Sequence, residues 1–365
     1  MIKNIINLHQ EVSSFLSRLE RKNFYDFNPA LQGVTNHGKQ ISLGFSTFGL
    51  KIRYMLGEIS TNDLETTKIW SNFICSFQKN EKSYPNNFFI DDELINYYSK
   101  KNSEEFIKDK VKLILNSLLN KSFDTFDTKL SKALNAETKQ AISTLHQVGF
   151  EGYSSIEKPY TNDELNTYLR SLDWTHPWSA GAQFSSMCVY AKTQKFDYEN
   201  SLTNFINEIV DKETGSYFSS KPKHNREIIN GAMKVLSGLD WIDQEIHYPE
   251  ALINFCLKNP PISEGCDIVD FVYVLFRCSQ QTSHRKKEVN KTLMDISSKI
   301  EELYFEDQGG FSYFPKKSQT HYYGVEITNG TNCPDIHGTT LSLWAINMIL
   351  KNNEMLDSKY NIIKP

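Results

Sequence analysis

Apolar positions along this chain recur mainly with the helical period, in two forms. In one set of segments they form a single stripe. Between Asp163 and Leu172 the apolar residues are Leu165, Tyr168, Leu169 and Leu172; between Ser201 and Val210 they are Leu202, Phe205, Ile206 and Ile209. After Lys291 the same spacing picks out Leu293, Ile296, Ile300 and Leu303. Such i, i+3, i+4, i+7 patterns predict helices with one wet face. A second set is apolar nearly all round and rich in small residues: SAGAQFSSMCVYA from Ser179, IINGAMKVLSGL from Ile228, DIVDFVYVLFRC from Asp267 and HGTTLSLWAINMIL from His337. Helices of that composition belong inside a structure.

From residue 137 the two kinds alternate. An inner helix over Glu137 to Val148 is followed by an outer one over Asn162 to Leu172. Inner helices from 179, 228, 267 and 337 then alternate with outer ones from 201, over Tyr248 to Leu257, and over Lys287 to Tyr304. Upstream, residues 1–136 are less regular, with an outer helix over 3–19, an inner GFSTFGLKIRYMLG from Gly44, an outer one over Asp63 to Phe77, then Asp91 to Lys100 and Glu104 to Asn120. Turn residues punctuate the links, as in HPWSAG, TGSYF, NPPISEG and DQGGFSYFP. No valine- and threonine-rich alternating run competes, so very little sheet is expected. The prediction is a single all-α domain over 1–365, an α/α toroid of about six or seven divergent helical hairpins, with an ordinary helical solenoid as the alternative.

Composition narrows the partners. The 365 residues carry a net charge of -4, with 39% hydrophobic and 13% aromatic content, a soluble globular balance without the basic footprint of a nucleic-acid binder. The first residues carry charge throughout and show no leader, and no run of about 18 apolar residues suggests a membrane span. Six scattered cysteines without a CxxC pair read as free thiols. A cytoplasmic protein acting on a small molecule or a polymer is expected.

In a toroid the inner-helix N-termini converge on one end of a central cavity, together with unpaired N–H groups and positive dipole ends. Polar residues at those starts therefore share an address. Asp267 and Asp270, one turn apart on an apolar helix, would face a polar cavity, one with a raised pKa suited to acid work and the other ionised. Asp267 also fits an N-cap. Asp335, after Pro334, reads as an N-cap that can also serve chemistry, and His337 as a capping or packed residue or a proton carrier. Asn230 and Lys234, a turn apart, would orient substrate; Lys234 is out of place on a buried helix unless it meets an anion. Trp174, His176, Trp178, Tyr313 and Tyr323 are candidate wall residues, able to stack on sugars, stabilise cations or simply fill core.

Two motifs add a resemblance. The run Gly309-Gly310-Phe311 closing an outer helix, followed by Asp335-Ile336-His337-Gly338-Thr339-Thr340 opening a small-residue inner helix, resembles the protein prenyltransferase and terpene cyclase superfamily, which is built on α/α toroids. The resemblance implies an isoprenoid substrate, a carboxylic acid that protonates or orients it, and aromatics that stabilise positive charge. It also implies a zinc site, with Glu264-Gly265-Cys266 standing where a D-x-C pair would and His337 as third ligand. The superfamily's diphosphate-binding basic cluster and D-x-D-D motif are missing. The same ring also serves six-hairpin glycosidases, polysaccharide lyases and uronate epimerases, whose sites are carboxylates, histidines and tyrosines lined with tryptophan. The leading reading is an isoprenoid enzyme with Asp267, Asp270, Asp335 and His337 as its acid–base groups; the second is a carbohydrate-active enzyme in which paired carboxylates or Tyr and His move protons at a glycan; the third is a non-catalytic binding scaffold.

Overall fold

The structure is a computed structural model that describes residues 5–59, 64–80, 84–99, 108–113, 125–262 and 265–365. It is an all-α fold. In chain order the helices are α1 (Ile5–Leu19), α2 (Leu43–Met55), α3 (Leu64–Cys75), α4 (Asp92–Ser99), α5 (Phe126–Gln147), α6 (Asn162–Ser171) and α7 (Pro177–Gln194). They continue with α8 (Glu199–Ile209), α9 (Asn225–Trp241), α10 (Pro249–Lys258), α11 (Gly265–Gln281), α12 (Lys286–Glu301) and α13 (Ile336–Asn352). Strand pairing among the described residues is confined to three two-residue antiparallel pairs and isolated bridges. Most of the predicted helix over Glu104 to Asn120 lies outside the described residues.

The predicted boundaries hold closely except at α5, which begins eleven residues before Glu137. Thr125 explains the earlier start: its side chain accepts from the Thr128 N–H as an N-cap, and Leu130, Ala133 and Leu134 extend the buried stripe upstream. Elsewhere the ends are locally encoded. A capping box between Thr161 and Glu164 opens α6, and Pro177 and Pro249 sit in the first turns of α7 and α10, where the missing N–H costs nothing.

The six apolar helices pack in a closed cycle of neighbours. Helix α2 packs on α5, α5 on α7, α7 on α9, α9 on α11, α11 on α13, and α13 returns to α2. The amphipathic helices α1, α3, α8, α10 and α12 lie against members of this cycle. The buried stripes of the amphipathic helices are those read from the sequence, including Leu165 and Leu169 on α6, which packs on α8, Leu202, Phe205 and Ile206 on α8, and Leu293, Ile296 and Ile300 on α12.

The tightest contact in the cycle, between α7 and α9, shows why these helices are rich in small residues. A Cβ on Gly231 would stand 2.6 Å from the Pro177 Cβ, and one on Gly238 would meet the Cys188 Sγ at 3.0 Å and the Ser185 Cα at 3.1 Å. Glycine lets the two backbones approach, and the Ser185–Ser237 hydroxyl pair at 2.9 Å fits the narrow gap. Replacing Gly231 with leucine overpacks this seam. A loss of about 1–3 kcal/mol is expected, measured as a lower midpoint in denaturant unfolding; an unchanged midpoint would show that α7 and α9 are not held at this distance.

Candidate functional site

The N-terminal parts of α7, α11 and α13, with the middles of α2 and α9 and much of α5, enclose a cavity of about 520 Å³. Its wall is mixed. Lys51, Lys139 and Lys234 come from α2, α5 and α9; Gln140, Gln183 and Gln319 supply amides; Tyr98, Tyr313, Tyr322 and Tyr323 are interleaved with Phe48, Trp178 and Trp344. Asp270, Cys266 and His337 complete the reactive groups.

His337 is the best-defined of these. Its ring stacks on Phe48, centroids 4.5 Å apart and planes 17° apart, and Tyr313 lies 5.1 Å away on another side. Burial, reinforced by the charges of Lys234 and Lys51, pulls its pKa down to about 3, so the imidazole is neutral. Nδ1 lies 3.1 Å from the Gln319 Oε1. An amide oxygen only accepts, so Nδ1 carries the hydrogen and Nε2 keeps a lone pair. A neutral imidazole with a fixed tautomer is a general base in waiting.

Asp270, 1% exposed, has one carboxyl oxygen without a hydrogen-bond partner among the described residues. Burial pushes its pKa up to about 7, against the opposing pull of Lys234. At neutrality it is therefore close to evenly divided between acid and carboxylate. The neighbouring Cys266 accepts a hydrogen bond from the Tyr313 hydroxyl at 2.7 Å, and burial holds its thiol up at about 11. Tyr313 too is pushed up by burial, so both stay protonated.

The lysines are the unexpected part. Lys51 is only 7% exposed, yet no described side chain pairs with it. Burial, then the like charge of Lys234, lowers its pKa to about 7. Lys139 moves in the same direction for the same reasons, with Lys51 adding to the repulsion. Lys234 lies 6.0 Å from the ring of Trp178, a weak cation–π contact.

Tyr322 and Tyr323 enter the wall on a short hairpin that pairs His321–Tyr322 with Val325–Glu326. Its two turn residues, Tyr323 and Gly324, have φ of 44° and 85°. A left-handed tyrosine is costly, by an order of 1 kcal/mol, and the Tyr98 hydroxyl holds it by donating to the Tyr323 carbonyl at 2.7 Å.

The structure divides the residues predicted from sequence. Asp270, His337, Cys266, Lys234, Trp178, Tyr313 and Tyr323 line this one cavity. Asp267 and Asn230 line a neighbouring pocket of about 300 Å³ instead. There Asp267 accepts from the Arg226 Nε at 2.6 Å and the Asn230 Nδ2 at 2.9 Å, so its charge is committed to an ion pair. Asp335 is a cap, not a cavity wall: its carboxylate accepts from the backbone N–H groups of Gly338, Tyr313 and Gln319 at 2.7, 2.7 and 2.9 Å. Trp174 is core, packed on Phe205 and donating to the Leu169 carbonyl, and His176 is exposed and paired with Asp173 at 2.9 Å. Glu264 lies outside the described residues, and among those described no three His, Cys, Asp or Glu side chains cluster to hold a metal. Nor is any helix among them long and apolar enough to cross a membrane.

Lys51 and Lys139 were missed, although each sits in a predicted inner helix and is as anomalous there as Lys234.

Comparison with known proteins adds little. No family model and no curated protein matches the chain. A solved structure described as a polysaccharide lyase is similar over 98% of this chain and 99% of its own, at 12% identity and a TM-score of 0.47.

The cap makes a direct prediction. Replacing Asp335 with alanine orphans three backbone donors and should cost about 2–4 kcal/mol, read from urea unfolding. Asparagine, which can still accept at the cap, should cost less; if alanine leaves the midpoint unmoved, Asp335 is free of this structural duty.

Proposed function

We propose that the closed cycle of apolar helices is an α/α toroid whose cavity carries out acid–base catalysis on an anionic glycan. The observation that carries this reading is the meeting of lysines from three helices, without carboxylate partners among the described residues for Lys51, in a wall otherwise furnished with amides, hydroxyls and flat aromatic rings. Buried cations without counter-charges are costly, and an incoming anion removes that cost. A sugar ring presents hydroxyls to Gln140, Gln183 and Gln319 and an apolar face to Trp178. An isoprenoid cation calls for a wall of aromatics with few donors, and the interleaving of ammonium and amide groups here does not supply one.

The chemistry that suits these groups is β-elimination at a uronate. Lysine ammonium groups neutralise the sugar carboxylate and so acidify the carbon beside it. Nε2 of His337 takes the proton from that carbon, the electron pair forms the new C4–C5 double bond, and the bond to the bridging oxygen breaks. The protonated fraction of Asp270 supplies the proton that oxygen needs as it leaves. Neutral His337 and half-protonated Asp270 are the forms these two roles require, and burial creates both.

The test is a panel of polyuronates, neutral glycans and prenyl diphosphates. Unsaturated uronate, detected by its ultraviolet absorbance, is expected from an acidic glycan, and His337→Ala should lower the rate about 10²–10⁴-fold. Saturated products would keep the glycan and overturn elimination; turnover of a prenyl diphosphate alone would overturn both.

Binding should also depend on pH with a defined sign. Lys51 has a pKa of about 7 in the free protein, and a bound anion raises it, so binding takes up a proton. Affinity should be highest below pH 7 and fall as pH rises above it, approaching tenfold per pH unit for each proton taken up. Calorimetry above pH 7 in buffers of different ionisation heat measures that uptake directly, and buffer-independent heats would contradict it.

A further inference from the structure

Lys51 has a second chemical capacity, independent of the glycan reading. It is buried, it opens on a cavity large enough for a small molecule, and no described side chain accepts a hydrogen bond from it or neutralises it. A lysine so placed is an amine as readily as an ammonium, and the amine is a nucleophile toward carbonyl carbon. Lys139 shares the cavity, but Lys51 is better placed for proton transfer. It follows Phe48 by one helical turn, Phe48 stacks on His337, and His337 feels the charge of Lys51.

We propose that Lys51 captures a small 2-keto acid as an imine, with the ligand's carboxylate on the Lys234 ammonium and its ketone carbon facing the Lys51 Nζ. The Nζ lone pair forms the C–N bond while the C=O π pair moves to oxygen, which takes a proton to give a carbinolamine. Nitrogen then releases a proton, the hydroxyl takes up another and leaves as water, and the C=N bond forms. Two groups in the wall of the same cavity suit these transfers: Nε2 of His337 can accept the proton from nitrogen, and the Asp270 carboxyl can protonate the departing hydroxyl. The other titratable groups around the same space are Tyr98 on α4, Lys129, Lys132 and Lys139 on α5, Cys266 on α11, Tyr313, and the hairpin's Tyr322 and Tyr323. Lys234, from α9, acts on Lys51 directly.

The selectivity expected is large. With its pKa at about 7, Lys51 is near half amine at neutrality, whereas an ordinary surface lysine is amine in only about one part in 10³.

The full chain is incubated with pyruvate at pH 7, reduced with sodium cyanoborohydride, and mapped by peptide mass spectrometry. One reduced pyruvyl group at Lys51 is expected, with yield rising as pH passes through 7, and Lys51→Arg should lower it at least about tenfold. Acetone, a carbonyl without a carboxylate, should be trapped more weakly at the same residue. Adducts spread over surface lysines, or concentrated at Lys139, would overturn the assignment to Lys51. Equal trapping of acetone would overturn the carboxylate contact with Lys234. The wild-type map decides the site by itself, so the proposal stays open to refutation even if the arginine variant does not fold.

Discussion

The site depends on one carboxylate that never reaches the cavity. Asp335 holds the N–H groups of Gly338, Tyr313 and Gln319, while its own N–H donates to the Phe311 carbonyl and that of Ile336 to the Pro29 carbonyl. It thereby ties the start of α13 to the long link before it and to the segment leading into α2. The approach is so close that a Cβ on Gly338 would lie 2.4 Å from the Tyr313 nitrogen. Through this knot the cap sets the chemistry. Gln319 and Tyr313 are the residues that fix the tautomer and flank the ring of His337, and both are placed by the carboxylate two residues before it.

The lysines present the opposite situation. Where Asp335 is satisfied by fixed backbone dipoles, Lys51 has no charged partner among the described residues, and burial lowers its pKa to about 7. Such groups reduce stability in the empty protein. An anionic ligand, as proposed, would supply the missing charge and recover that cost. The same cavity is lined by five lysines from three helices, Lys51, Lys129, Lys132, Lys139 and Lys234, which gives it a cationic wall.

Much of this was legible in the sequence because helical periodicity records burial directly. The stripes of α6, α8 and α12 and the all-round apolar runs of α7, α9, α11 and α13 reported which faces are covered, and the placement of the shared site at inner-helix starts followed. Asp270, His337 and Lys234, which line the main cavity, were read that way. The errors came where residue type alone cannot show direction. Asp267 and Asp270 are one turn apart on α11, yet only Asp270 lines the main cavity; Asp267 turns to Arg226, whose exposed position on α9 no pattern marked. Trp174 and Trp178 are equally near the start of α7, and the tertiary packing on Phe205 buries one while the other remains 41% exposed. The start of α5 was missed because a polar stretch with a threonine cap looked like a loop.

The protonation states argue that the cavity works as a unit. Burial is the main influence on Asp270, His337, Lys51, Lys139 and Cys266, and Lys234 acts on all five as a second, shared one, pulling each pKa down. For His337 and Lys51 its charge adds to burial, which keeps the imidazole neutral and lets the lysine be an amine; for Asp270 it opposes burial, which is the larger effect. An anion bound on Lys234 would weaken the positive field on these groups at once, and both Lys51 and His337 would gain affinity for a proton. Under the proposed function, binding of the anion would in this way raise the proton affinity of the base and couple recognition to proton transfer.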